Sequence, residues 1–246
     1  MRTKKTQKFQ SLFINPRNIA AMNSDRALNI HNQKIKKTEQ IKLLGSYINE
    51  YLNFAGHISN LCTKSNQKVG VLVYGCNVIP CNTKLTLYKS AILSHLTYWL
   101  LAWNFCKSYN SRKIVQVQEG ALHAIYKSKM ETYKELIAHA RLLTLNNRHL
   151  QHNATLMYKV KNNLVPSCPS QLFKTKNLQY CLRNWDFKIP CFNTTGYGGH
   201  TIRYQGPYLW LKLSKELRTS PTLAIFKTRI RKIDLSDLID NYSSCC

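Results

Sequence analysis

From Ile41 to Ile48 the chain carries a strand-like apolar run, and Gly45, directly after Leu43 and Leu44, predicts a tight bend or a close backbone approach within it. The period then changes. From His57 onward Ile58, Leu61, Cys62, Val69 and Leu72 recur mostly at helical spacing, while Lys64 and Lys68 stand one turn apart on a different face. Pro80 is expected to end this helix, and Asn82 or Thr83 suits the cap of the next. In that second helix Leu85, Tyr88, Ile92, Leu96, Trp99 and Trp103 form a stripe that reads as core. A third helix is predicted from Ser111 to Tyr126, with Ile114, Val117, Leu122 and Ile125 inward and Arg112, Lys113 and His123 outward. Two more helical segments follow, Thr132 to Arg141 and Asn147 to Asn162, before Pro166 and Pro169 close the block.

Between Asn177 and Tyr208 the pattern alternates. Phe187 with Ile189, and Tyr197, Ile202 and Tyr204, are punctuated by Gly196, Gly198, Gly199 and Gly206, which predicts a small hairpin or irregular sheet. Pro207 is expected to open a short helix running through Leu217. Ser220 and Pro221 suit the cap and first turn of a last helix, Leu223 to Ile233, which carries Lys227, Arg229, Arg231 and, next to its end, Lys232. The whole is a mainly α fold with a small β component. Residues 1–50 form a short strand region with a turn at Asn15 and Pro16, 51–165 a helical bundle, and 166–246 a tail with a small hairpin and a basic helix.

Charge turns this layout toward function. Thirty-six Lys and Arg against 11 Asp and Glu give a formal net charge of +25, a field that attracts polyanions over long range. Nucleic acid is the leading partner, with an anionic membrane surface as the unspecific alternative. A hydrophobic share of 44% and an aromatic share of 11% across 246 residues exclude a solvated disordered tail and require a real core. The basic N-terminus lacks an apolar stretch of signal-peptide length, so an intracellular protein, nuclear or cytoplasmic, is expected. Ala91 to Cys106, the longest apolar stretch, is interrupted by Ser94, His95, Thr97 and Asn104, which fits a buried helix rather than a membrane span.

Candidate chemistry is sparse. The nine cysteines form no CxxC pair, so they are expected as small buried hydrophobes, and neither a metal nor another cofactor is implied. The histidines show no HExxH spacing, no serine stands in a GxSxG elbow, and Gly196 to Gly199 lacks the GK[ST] of a phosphate loop. His149 and His152 are expected at the surface or facing phosphate. The aspartates are Asp25, Asp186, Asp234, Asp237 and Asp240, with no adjacent pair, and the last three read as a solvated helix face. Tyr197, Tyr204 and Trp210 are candidate stacking platforms for unpaired bases, weighed against burial in a small sheet.

The stretch Gln40 to Ile79 resembles the primer-grip strand and first thumb helix of a reverse transcriptase of the non-LTR (LINE-type) retrotransposons. LYKSAILSHLTYWLLAW, from Leu87 to Trp103, and VQVQEGALHAIY, from Val115 to Tyr126, resemble the same family's thumb and post-thumb helices. Leu182 to Leu235 is similar to the tail that follows the thumb, so the likeness runs from about Phe9 to the C-terminus. It implies that Leu43, Leu44 and Gly45 are primer-grip residues, in a short palm-edge strand region before a thumb-like bundle. Ile14, Asn15 and Pro16 resemble the palm segment before the grip, in which a lysine two positions after the proline has a proton-donating role; Asn18 stands there.

Two-metal phosphoryl transfer needs clustered carboxylates, and this sequence offers none. The resemblance therefore implies a truncated reverse-transcriptase-like protein that is not itself an enzyme. It would bind RNA or DNA through backbone phosphates, using Lys64, Lys68, Arg112, Lys113, Lys227, Arg229, Arg231 and Lys232. The alternatives are an accessory subunit docking on a palm-bearing reverse transcriptase, a structural protein whose charge is incidental, and a non-functional translated remnant of an element.

Overall fold

The computed structural model describes residues 10–12, 29–30, 33–75, 77–103, 108–128, 130–173, 186–191, 199 and 201–235. Its architecture is mainly helical with a small strand component. Near the N-terminus β1 (Gln10–Ser11) pairs in parallel with β4 (Lys36–Lys37), and β2 (Asn29–Ile30) pairs antiparallel with β3 (Gln33–Lys34). The strand predicted over Ile41 to Ile48 is a hairpin. β5 (Gln40–Leu43) folds back on β6 (Ser46–Asn49), with Ile41 opposite Ile48 and Leu43 opposite Ser46.

The reversal occurs at Leu44 and Gly45, whose φ angles are 48° and 88°. Two successive positive φ angles match the twist of a two-residue hairpin, and glycine at the second position adopts one without steric cost. Leucine at the first position is strained by about 1–2 kcal/mol, which is why alternation alone reads through the turn. The Tyr98 hydroxyl helps hold it by donating to the Leu44 carbonyl at 2.7 Å.

α1 (Ala55–Tyr74) buries Ile58, Leu61, Cys62 and Leu72 as the spacing predicts, but it stops before Pro80, with the Gly75 amide donating to Val71 O at 3.1 Å. α2 (Cys81–Leu87) starts directly after Pro80, passes through a π turn at Tyr88–Leu93 and resumes as α3 (Ser94–Thr97). The predicted stripe through Trp103 is broken at Trp99, where φ is 56°, and α4 (Leu100–Trp103) follows. α5 (Ser108–Tyr126) packs along α1. α6 (Tyr133–His139) opens with a reciprocal capping box between Thr132 and Glu135, and α7 (Leu145–Lys161) is capped by Thr144.

α8 (Ser167–Ser170) is a single turn. The C-terminal part brings α9 (Ile202–Lys212), α10 (Lys215–Arg218) and α11 (Leu223–Ile230), the last capped by Thr222 rather than Ser220. α9 corrects the sequence reading: Ile202 and Tyr204, expected in a strand, are helical, and Pro207 lies inside the helix rather than at its start. Gly206, Leu209, Trp210 and Leu213 are buried at helical spacing, and this stripe outweighs the local alternation. Gly206 also admits close helix packing, because a Cβ there would sit 2.6 Å from Met157 Sδ on α7. Tyr197 and most of the remaining hairpin expectation fall outside the described residues.

The buried side chains form two clusters. Ile58, Leu61, Tyr88, Ile92, Leu96, Leu100, Ile114, Leu122, Ile125 and Leu136 build the first from α1 through α6. Leu150, Ala154, Met157, Tyr158, Phe187, Leu209, Trp210, Phe226 and Ile230 build the second. α7 belongs to both, since Leu145 joins the first cluster and its residues from Leu150 join the second. No helix among the described residues is long and apolar enough to cross a membrane.

Candidate nucleic-acid interface

Of the basic residues singled out in the sequence, one set lies on α1 and α5 and a second on α11 and in the turn that follows it. On α1, Lys64 is exposed and Lys68 is half-buried, its Nζ donating to Ala91 O of the π turn at 2.8 Å. His95 of α3 lies beside them, with Nδ1 3.3 Å from Ser65 Oγ. Burial pushes the His95 pKa down, and Lys68, Lys64 and His57 push it further, so this imidazole is neutral among cations. Lys113 of α5 lies close enough to α1 to oppose the upward push that burial gives the Cys62 thiol, and Arg112 beside it is exposed. The structure thus brings Lys64, Lys68 and Lys113 onto neighbouring helices.

The second face is built by α11 and α7, which pack together, with Gln151 Nε2 donating to Ile230 O at 3.1 Å. Lys227 is half-buried, and Arg231 and Lys232 are exposed. Arg229 differs from them: its guanidinium donates to Glu216 O at 3.2 Å and lies 3.5 Å from Ser220 Oγ, tying α11 to α10. Sequence spacing missed Arg148, one turn along α7 from His152, which is exposed as expected. Arg148 feels the charge of Arg231, and burial, with Arg148 and Lys227, pushes the His152 pKa down, so a neutral imidazole stands beside these three cations. The i, i+4 repeat of basic residues on α7 was the available signal, masked by its interleaving with the apolar stripe.

His149 corrects an expectation. Only 4% exposed, it cannot face a phosphate, and burial with a smaller push from His152 lowers its pKa to about 4. Its folded-state value lies below the ordinary 6.5, so the unfolded chain takes up the proton first as pH falls. Stability is therefore full above about pH 6.5 and is lost toward pH 4, by on the order of 3 kcal/mol from this group. His57, His95 and His152 are shifted in the same direction. Urea unfolding at pH 7 and 4.5 is expected to show this loss, and His149→Gln to reduce it; an equally steep loss in the variant would contradict the assignment.

No family model matches the chain, and neither a curated protein nor a solved structure shows significant similarity to it.

Other candidates separate by burial. Trp210 is completely buried and so offers no face to a base. Tyr204 and Tyr208 are half-buried and stacked, with centroids 6.0 Å apart and planes at 16°, and Lys212 Nζ lies 5.6 Å from the Tyr208 ring. Asp186 accepts from Lys161 Nζ at 2.9 Å and Trp210 Nε1 at 2.7 Å, and Asp234 accepts from Asn147 Nδ2 at 2.9 Å. Both carboxylates brace the second core. Asp25, Asp237 and Asp240, like Ile14, Asn15, Pro16 and Asn18, lie outside the described residues.

Leu43 and Leu44 are exposed at the hairpin tip beside Tyr98, and Tyr51 and Leu52 are exposed at the open end of the hairpin. A second exposed apolar group, Val71, Tyr74 and Val78, marks the end of α1 and the turn after it.

Proposed function

We propose that this chain is a reverse-transcriptase-like protein of non-LTR retrotransposon type that binds RNA or DNA through backbone phosphates and does not carry out polymerase chemistry. The observation that carries the reading is the gathering of cations around the helices: Lys64, Lys68 and Lys113 on α1 and α5, and Lys227 on α11 with Arg231 just past its end. Rigid helices hold such charges at defined spacing, so binding neutralises phosphates and releases counterions with little reading of base sequence. The sequence also lacks the paired aspartates that metal-assisted nucleotide transfer requires.

Fluorescence anisotropy with unrelated RNA and DNA oligonucleotides tests it. Similar affinities across sequences are expected at low salt, and no binding to any of them would overturn the reading. The Tyr204–Tyr208 stack supplies a finer test. Tyr204→Leu is expected to weaken single-stranded RNA binding by about 1–3 kcal/mol with unchanged unfolding if the ring stacks on a base, and unchanged binding would reduce that ring to packing.

The exposed Leu43, Leu44 and Tyr98 favour a second reading, in which this apolar tip docks on a separate palm-bearing reverse transcriptase. Co-elution of the two polypeptides, lost on Leu44→Asp, would support it; independent elution at micromolar concentration would count against it.

A further inference from the structure

The outer side of α1 changes character in its last turn. Positions 64, 67, 71 and 74 follow at steps of three and four and so share one side of the helix, away from the buried stripe of Ile58, Leu61, Ser65 and Leu72. Lys64 and Gln67 make that side polar, and Val71 and Tyr74 then make it apolar although they are 69% and 94% exposed. The next turn adds Val78, 87% exposed, with its amide donating to Gly75 O at 3.2 Å. Lys127, just after α5, donates to Asn77 Oδ1 at 2.9 Å and so brings the turn after α5 alongside. Met130 in that turn is 95% exposed.

Apolar side chains this exposed project from the surface instead of lining a groove, a shape that suits a fluid boundary better than a partner with fixed walls. Charge narrows the choice further. Lys127 and Lys134, the latter in the first turn of α6, are exposed at this end. The two acids that follow Met130 are engaged within the fold: a Glu131 oxygen lies 3.4 Å from His139 Nδ1, and the Glu135 carboxylate accepts from the Thr132 amide at 2.7 Å. With a net charge of +25, the chain repels a second copy of itself and attracts an anionic surface.

We infer that this end of the first helical cluster docks on an anionic phospholipid membrane, with Val71, Tyr74, Val78 and Met130 entering the boundary between headgroups and acyl chains and Lys127 and Lys134 facing the lipid charge. Apolar side chains gain by leaving water there, a tyrosine keeps its hydroxyl at headgroup level, and lysines add attraction to acidic lipids. The contact is peripheral, since no helix among the described residues is long and apolar enough to cross a membrane. It does not rest on the nucleic-acid reading, because the apolar side chains it uses are not among the phosphate contacts.

The test is co-sedimentation of the full chain with vesicles of phosphatidylcholine, with and without phosphatidylserine. Binding to the mixed vesicles is expected, and binding about tenfold or more weaker without the acidic lipid. Val71→Ser, Tyr74→Ser and Val78→Ser combined keep the net charge and change only exposed side chains, so the unfolding transition and oligonucleotide binding are expected to stay as in the parent. Affinity for the mixed vesicles is expected to fall about tenfold or more in this variant. Tyr74→Trp is expected to give a blue shift in emission on the mixed vesicles that the parent lacks. Equal vesicle binding by the serine variant would reduce the contact to adsorption by net charge and overturn the inference. So would the absence of vesicle binding, a Tyr74→Trp emission that does not move, or a concentration-dependent dimer lost in the serine variant, which would assign the face to a second copy.

Discussion

Trp210→Ala is expected to destabilise the chain by about 3–5 kcal/mol, the range for emptying a large aromatic site in a core. Trp210 is fully buried and sits in an aromatic cluster, edge-on to Phe187 with ring centroids 6.1 Å apart and also 6.1 Å from Phe226. Phe226 in turn stacks on Tyr158 at 4.5 Å, so the indole joins α9 to α11 and, through Tyr158, to α7. Its Nε1 donates to Asp186 at 2.7 Å, and Lys161 both pairs with that carboxylate at 2.9 Å and lies 5.6 Å from the indole ring. Truncation thus opens a cavity and removes one partner of a half-buried acid. Trp210→Phe keeps most of the packing and is expected to cost about 1–2 kcal/mol through the lost hydrogen bond. Urea unfolding measures both, and an alanine variant as stable as the parent would refute the placement of this ring.

The same residue shows how the sequence could mislead. Aromatic rings among basic residues and glycines fit a stacking surface, yet the helical spacing of Gly206, Leu209, Trp210 and Leu213 determines which side of α9 is buried. Proline at position 207 and glycine at 206 hid that helix, because both ordinarily oppose helix interiors, and packing of α9 against α7 overrides the local preference. The longer helices were legible because their apolar stripes are unambiguous: Ile58, Leu61 and Leu72 on α1, and Ile114, Val117, Leu122 and Ile125 on α5, are all buried as spacing requires. The turn at Leu44 was only half legible, since Gly45 announced a bend but leucine with positive φ has no local signature.

The candidate interface was legible in part for a related reason. Lys64 and Lys68 declare themselves by standing off an apolar stripe, whereas the proximity of Arg148 to Arg231 is a tertiary fact, joining residues more than eighty positions apart in the chain. His149 and His152 look equivalent in sequence. A three-residue offset buries one and leaves the other exposed beside Arg148 and Lys227.

The salt dependence of nucleic-acid binding is the most direct measure of the central claim. Lys64, Lys68, Lys113 and Lys227 lie on helices, and Arg231 and Lys232 lie in the turn after α11; if about six to ten phosphates are neutralised, counterion release makes affinity fall steeply and linearly on logarithmic axes. Between roughly 50 and 200 mM monovalent salt Kd for RNA or DNA is expected to rise about a thousandfold or more, with the unfolding transition unchanged across the same range. Removing one exposed contact, as in Lys64→Gln, is expected to lower the slope by about one. A Kd that barely moves over this range would contradict backbone-phosphate binding by these helices.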